Sequence, residues 1–294
     1  MTLDSGISRL KWQFFDPNDK RGVQIKGMPF LFQFSPYEGN AQVHDAYARR
    51  LKCERYFPLA VPKEQCVPLL EKLGIAGKKL ALIHIKNYVM NSAAALTNPN
   101  TYLPSMGMLK DLGYKLVFVG REKMPEQFRQ FDILNYAESF FASLKHDVLL
   151  FQSCELAMVT SGISNLAECY DKAFLYINSW HVGLCPFSKW SIFLPALVKK
   201  KTGKWLKFSA QNDLYHEVTT MHERFPYDCY IPRNANGDEI LHAAEELLSL
   251  MKEYKPRSFL QERYMGIDKG RGVLANSLTR VGQYFLEEHQ DLLD

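Results

Sequence analysis

No apolar run in this 294-residue chain reaches the roughly 18 residues that a membrane-spanning helix needs. The first six residues, Met1 to Gly6, lack a basic segment followed by an apolar one, so no signal peptide is expected. One-signed charge is scarce as well: 36 Lys and Arg stand against 32 Asp and Glu, a net charge of +4. That balance excludes a nucleic-acid coat and makes no nucleic-acid partner the expectation, while leaving room for a small anionic ligand. The six cysteines, at 53, 66, 154, 169, 185 and 229, show no CxxC or other zinc spacing. They read as reduced, mostly buried thiols of a cytoplasmic protein. Neither GxGxxG nor GxxxxGK[ST] occurs, which weakens a dinucleotide-binding or P-loop enzyme. Internal repeats and low-complexity tracts are absent too. What remains, 47% apolar and 23% charged residues, is the composition of a chain able to bury a sizeable core.

The stretch that organises the chain is Leu156 to Glu168. Leu156 to Val159 has buried-strand character, and Ile163 to Glu168 reads as the first turns of a helix. Between them lie Thr160, Ser161 and Gly162. A strand that stops at small hydroxyl residues and Gly before a helix leaves backbone N–H groups at the sheet's carboxyl edge. Those donors and the helix dipole favour an anion such as phosphate. Gly162 permits close backbone approach, and Ser161 and Ser164 add hydroxyls. The plainer alternative is an ordinary strand-to-helix turn with Ser as N-cap.

Residues 1 to 40 are rich in aromatics, Gly and Pro and lack helical periodicity, which predicts extended segments packed on something. Helices are predicted over Ala41–Arg55 and Lys63–Leu73. From Lys78 strands and helices alternate. Strands are predicted at Leu80–Ile85, Lys115–Val119, Phe131–Tyr136, Leu156–Val159 and Phe174–Ile177. Helices are predicted at Tyr102–Leu112, Phe140–Phe151, Ile163–Tyr170, Asp238–Tyr254 and Ser277–Leu293. The fold class is therefore α/β, a Rossmann-like parallel sheet of five or six strands over residues 78 to 215, covered by helices on both faces, with Leu156–Val159 near its centre. Such sheets bind ligands beyond the strand carboxyl ends. This edge collects His84, Lys86, Gly120, Arg121, Thr160 to Ser164 and Asn178. Each has a plainer reading: a satisfied core histidine, charges at strand ends, a turn-starting Asn.

The ordered motifs Ala81–Lys86, Asn98–Pro104, Gly113–Arg121, Thr160–Asn165 and Tyr176–Asn178 resemble a family of bacterial surface-polysaccharide glycosyltransferases. More distantly, TSGISNLA at 160–167 is similar to the DSGPMHLA segment of lipopolysaccharide heptosyltransferases. Both families share the two-Rossmann-domain GT-B architecture, and the resemblance spans about Lys78 to Tyr215. It implies a nucleotide-sugar donor and a glycan or lipid-linked acceptor. The donor-side domain would run over 78–294, and 1–77 would form a reduced amino-terminal, acceptor-side region. It also raises Asn98, Tyr102 and Asn165 to binding candidates; on their own, Asn98 and Thr101 read as helix caps. Lys86 stands where the family commonly has Arg, keeping the charge but losing the bidentate fork.

Under this resemblance Thr160, Ser161, Gly162 and Ser164 would meet the diphosphate, with charge from Lys86 and Arg121. No DxD motif is present, so no metal or other cofactor is implied. For the base that deprotonates the acceptor, His44 and Asp45 are the candidates, with Glu38 and His181 as further ones; the plainer reading is surface polarity. The aromatic arm through Arg55 is expected to wall one side of the cleft, alone or with a second subunit, identical or not. The segment Lys189 to Lys207 mixes an apolar run with lysines. It reads either as a peripheral contact with the anionic inner-membrane face or as a buried helix followed by a solvated basic loop. Two functions stay open. One is an enzyme that transfers sugar to a surface glycan; the other is a nucleotide-sugar-binding module that partners a separate catalytic chain.

Overall fold

The computed structural model describes residues 63–86, 97–160, 162–180, 185–186, 188–220, 226–268, 274 and 277–293. The aromatic arm, the helix expected over Ala41–Arg55, and the candidates Glu38, His44, Asp45, Ser161 and His181 lie outside these residues.

Strands β1 (Lys79–Ile83), β2 (Tyr114–Phe118), β3 (Leu134–Asn135), β4 (Leu156–Val159), β5 (Ala173–Ser179) and β6 (Ser191–Pro195) belong to one sheet. A further strand from the carboxyl-terminal region, Arg280–Val281, completes it at seven, one more than the alternation predicts. Two strands outside this sheet, β7 (Leu197–Lys200) and β8 (Tyr230–Arg233), form an antiparallel ribbon, so Arg280–Val281 is β9. The order is β3-β2-β1-β4-β5-β6-β9, and every pairing is parallel. β4 is thus the central strand, as its unbroken Leu-Ala-Met-Val run predicts for a strand covered on both faces.

Helices α1 (Lys63–Lys72), α3 (Leu144–Ser153) and α4 (Ser164–Cys169) pack together on one face. Helices α2 (Leu103–Asp111) and α6 (Gly237–Lys252) lie on the other. Beyond α6 come α7 (Phe259–Met265) and α8 (Gln283–Glu288), with α8 packed on both α6 and α7. Between β7 and β8 runs α5 (Phe208–Thr220). One apolar core joins the layers, from Leu69 of α1 through Phe118, Met158 and Leu175 to Leu247 of α6 and Phe285 of α8.

Three expectations need correction. Helix α3 starts at Leu144 rather than Phe140, because Ser143 caps it, its Oγ accepting from the His146 amide at 3.3 Å. The preceding turn is instead organised by the Tyr136 hydroxyl, which donates towards the carbonyls of Phe141 and Ser143. The apolar run after Trp190 is not a helix. It forms β6 and β7, and Ile192, Phe193, Leu194, Ala196, Leu197 and Val198 are all buried. Finally, Ser277–Leu293 is not one helix but β9 followed by α8 and a 3-10 turn at Gln290–Leu292.

Candidate functional site

The chain leaves β1 towards β2 on one side and leaves β4 towards β5 on the other, so the topology switches between β1 and β4. A switch of this kind opens a crevice beyond the carboxyl ends of the two strands. The two ends are tied across it: the His84 amide donates to the Met158 carbonyl at 2.9 Å, and the Lys86 amide donates to Thr160 Oγ1 at 2.8 Å. Thr160 therefore spends its hydroxyl oxygen on the strand end rather than capping the helix.

Helix α4 begins just beyond. Its N-cap is Ile163, in helical conformation, and no side chain among the described residues caps it. The Ser N-cap of the plainer sequence reading is not seen; Ser164 is instead the first residue of the helix and is buried. The first-turn amides carry the positive end of the helix, and no side chain of the described residues compensates it. Gly162 is exposed, and a Cβ built on it meets no atom of the described residues within 4 Å. Asn165 is exposed on the first turn and donates its amide to the Gly162 carbonyl at 3.1 Å.

The end of β2 closes over His84. Gly120 has φ +112, and a Cβ there would lie 2.5 Å from His84 Cδ2 and 2.7 Å from Glu122 Oε2. Only glycine tolerates both the dihedral and the approach. Buried His84 Nε2 is 3.1 Å from Glu122 Oε2, and the same oxygen accepts the Arg121 amide at 3.0 Å. Burial alone would lift the Glu122 carboxyl, but the His84 hydrogen bond and charge, helped by backbone amides, hold it below its ordinary range. Glu122 is therefore an anion, and His84 Nε2 is the donor in this pair. His84 Nδ1 is buried with no partner among the described residues. Arg121 points the other way, its Nη2 donating to Asp147 Oδ2 at 3.1 Å while 55% of its side chain stays exposed. Burial pushes the Asp147 carboxyl up, and Arg121 opposes that rise.

Asn178 has φ 65 and sits at the irregularity where β5 and β6 change register. Its Oδ1 accepts the Ala235 amide at 2.8 Å, which ties the sheet edge to the turn before α6. Its Nδ2 has no partner among the described residues. Asn98 caps the 3-10 turn Pro99–Tyr102, its Oδ1 accepting from the Asn100 amide at 3.1 Å. Tyr102 is fully buried, 6.4 Å from the Phe128 ring, and burial pushes its hydroxyl well above the ordinary value. Tyr102 is thus closed off from solvent, whereas Asn98 is exposed.

The structure thus brings His84, Lys86, Gly120, Arg121, Thr160, Gly162 and Ser164 to one edge, with Asn178 further along it. Glu122, Asp147 and Ala235 were not singled out in the sequence. Glu122 had one usable signal, an acid just past the second strand of an alternating sheet. Asp147 and Ala235 had none, since their partners are 26 and 57 residues away. Among the described residues no three His, Cys, Asp or Glu side chains gather to hold a metal ion, and no helix is long and apolar enough to cross a membrane.

No protein-family model matches the chain, and no curated protein matches it. Among solved structures it is similar to the E. coli ADP-heptose lipopolysaccharide heptosyltransferase II. The two are 16% identical over 46% of this chain and 44% of that one, with a TM-score of 0.38. It is similar also to a family 9 glycosyl transferase from Veillonella parvula, 15% identical over 64% of this chain and 51% of that one, TM-score 0.40. A third is the iron-containing dodecameric glycosyltransferase TibC of enterotoxigenic E. coli, 15% identical over 47% and 33%, TM-score 0.30. The match therefore spans between a third and about half of each of these proteins.

Proposed function

We propose that this chain is a glycosyltransferase of GT-B type whose parallel sheet holds a nucleotide-sugar donor, the sugar passing to a surface-glycan or lipid-linked acceptor. The observation that carries the reading is the space over Gly162 that the described residues leave open, beside a helix start that none of their side chains caps, at the β1/β4 switch point. As the bond between the sugar's anomeric carbon and the diphosphate oxygen breaks, negative charge grows on the leaving diphosphate. Fixed backbone donors around Gly162 and Ser164, with the cations of Lys86 and Arg121, stabilise that charge without reorganising. The missing DxD motif is in keeping with such a metal-independent arrangement. Glu122 stands where a doubly wound sheet offers a carboxylate to ribose hydroxyls. His44 and Asp45 remain the candidates for the base that takes the acceptor proton.

Calorimetry with ADP, UDP, GDP and CDP tests the site. Gly162→Val should melt like the wild type, because its Cβ enters open space, yet lose detectable binding, because that space is the phosphate's. Lys86→Ala and Arg121→Ala should each weaken binding by roughly 1.5–3 kcal/mol, the range for hydrogen bonds to charged groups. Unchanged affinity in all three folded variants removes the site. Saturable binding with no release of nucleoside diphosphate from any nucleotide sugar, with acceptor present, would favour the binding module over the enzyme.

A further inference from the structure

Helices α1 and α3 lie side by side on one face of the sheet, and a cavity of about 300 Å³ opens between them. Its floor is apolar, made by Pro68 and Leu69 of α1 and by Leu149 and Phe141. Its polar lining includes Lys72, Lys145 and His146, and none of its lining residues is acidic. Neither lysine has an ion-pair or hydrogen-bond partner among the described residues. The His146 ring is fixed by a 2.6 Å hydrogen bond from Nδ1 to the Phe141 carbonyl, and Nε2 has no partner among the described residues.

The placement of Lys145 runs against local helix chemistry. Lys145 and His146 occupy the first turn of the ten-residue α3, where the helix dipole is positive and acidic side chains are favoured. The acid in that turn, Asp147, is buried and committed to Arg121. Positive charge is therefore stacked on positive dipole beside a concave surface, an arrangement that a bound anion relieves and that a purely structural helix would avoid.

An anion alone leaves the apolar part unexplained. Phe140 is fully exposed, yet its ring is held edge-on against cavity-lining Phe141, centroids 6.0 Å apart. Phe140 and Phe141 thus set an apolar pair of rings beside the two lysines.

We propose that the cavity between α1 and α3 binds a phosphate ester carrying an apolar chain. Its phosphate sits between Lys72, Lys145 and His146, and its chain lies over Phe141 and Phe140. The site is distinct from the β1/β4 edge and does not depend on the glycosyltransferase reading, although His146 is the sequence neighbour of the Asp147 that holds Arg121.

Calorimetric titration with hexyl phosphate and with inorganic phosphate tests this. Hexyl phosphate should bind saturably and at least tenfold more tightly than inorganic phosphate. The double variant Lys72→Ala/Lys145→Ala should weaken it at least tenfold, and Phe140→Ser should weaken hexyl phosphate while leaving inorganic phosphate unchanged. All three positions are exposed, so melting temperatures should stay at the wild-type value; if the double variant does not fold, Lys145→Gln replaces it. Gly162→Val should retain hexyl phosphate binding, which separates this cavity from the proposed donor edge. Equal affinity for the two phosphates, no saturation, indifference to the lysine substitutions or loss in Gly162→Val would each overturn the proposal.

Discussion

Gly120, just beyond β2, lies against the His84–Glu122 pair, so the interior it touches is ionic. A methyl group at this position would press on the His84 ring and on a Glu122 carboxylate oxygen, at a dihedral that L-residues rarely adopt. Backbone strain of this kind costs of order 1–3 kcal/mol and overpacking typically adds a similar amount. Gly120→Ala should therefore lower the unfolding free energy by roughly 2–6 kcal/mol in urea titration. A variant as stable as the wild type would mean that the loop moves aside freely.

Glu239 gives a second prediction at this scale. It is 1% exposed, and it accepts from Arg233 through both oxygens at 3.1 and 2.6 Å. His289 lies 2.7 Å away, and the Asn236 amide donates at 2.7 Å. Burial pulls its carboxyl up, but the bonds from His289, Arg233 and Asn236 outweigh that and bring it down to about 2. A carboxylate whose pKa is lower folded than unfolded stabilises fully above the unfolded value, near ~4.3, and loses that stabilisation as pH falls through the folded one. Glu239→Gln should thus cost about 3 kcal/mol at pH 7. The gap from wild type should close between about pH 4.3 and 2. A gap that stays constant down to pH 2 would contradict the ionic account.

Single residues differ in how much of this could be read beforehand. His84 was legible as a polar residue in an apolar strand, but not as one half of a pair, because Glu122 comes within reach only when β2 lies beside β1. Gly120 was legible as a strand end; its positive φ belongs to the contact and not to the local sequence.

At the scale of elements, α6 shows local chemistry agreeing with the fold. Asn236 caps it by accepting from the Glu239 amide at 2.9 Å, and Glu239 returns a bond to the Asn236 amide, a complete capping box. The periodicity, the Asn-Ala-Asn-Gly turn and the acidic first turn all announced this helix. Asn236→Ala should cost about 1 kcal/mol by denaturant unfolding. A loss much beyond that would show that Asn236 also anchors the turn that binds Asn178. The run after Trp190 was not legible in the same way. It is apolar throughout, and a solid apolar run does not separate a buried helix from a buried strand. Pairing with β5 settles the matter: Phe174 to Ile177 register against Ser191 to Leu194. Pro195 and Ala196 then carry the chain out of the sheet and into the β7/β8 ribbon.

For the whole molecule, the alternation of strands and helices from Lys78 disclosed the parallel sheet and the central place of β4, because both follow from chain-local patterns. It could not disclose the seventh strand, which is two residues long and exists only through its pairing with Ile192 and Phe193. That strand makes the carboxyl-terminal region part of the same fold rather than an appendage. Val281, Phe285, Leu286, Leu292 and Leu293 are buried, and Gly282 packs so closely on Leu194 that an added Cβ would come within 2.9 Å. Gln261 and Glu246 reinforce the join, Gln261 Nε2 donating to the Val281 carbonyl at 2.7 Å and Glu246 Oε2 accepting the Gln283 amide at 2.8 Å. Ending the chain after Asn276 would strip these side chains from α6 and α7 and expose the edge of β6, an apolar strand with unpaired backbone groups. We expect the truncated protein to aggregate or to lose its cooperative urea transition, even though every residue proposed for the donor edge is retained. A soluble truncated chain with an unchanged transition would show instead that β9 and α8 are dispensable, and that the sheet is complete at β6.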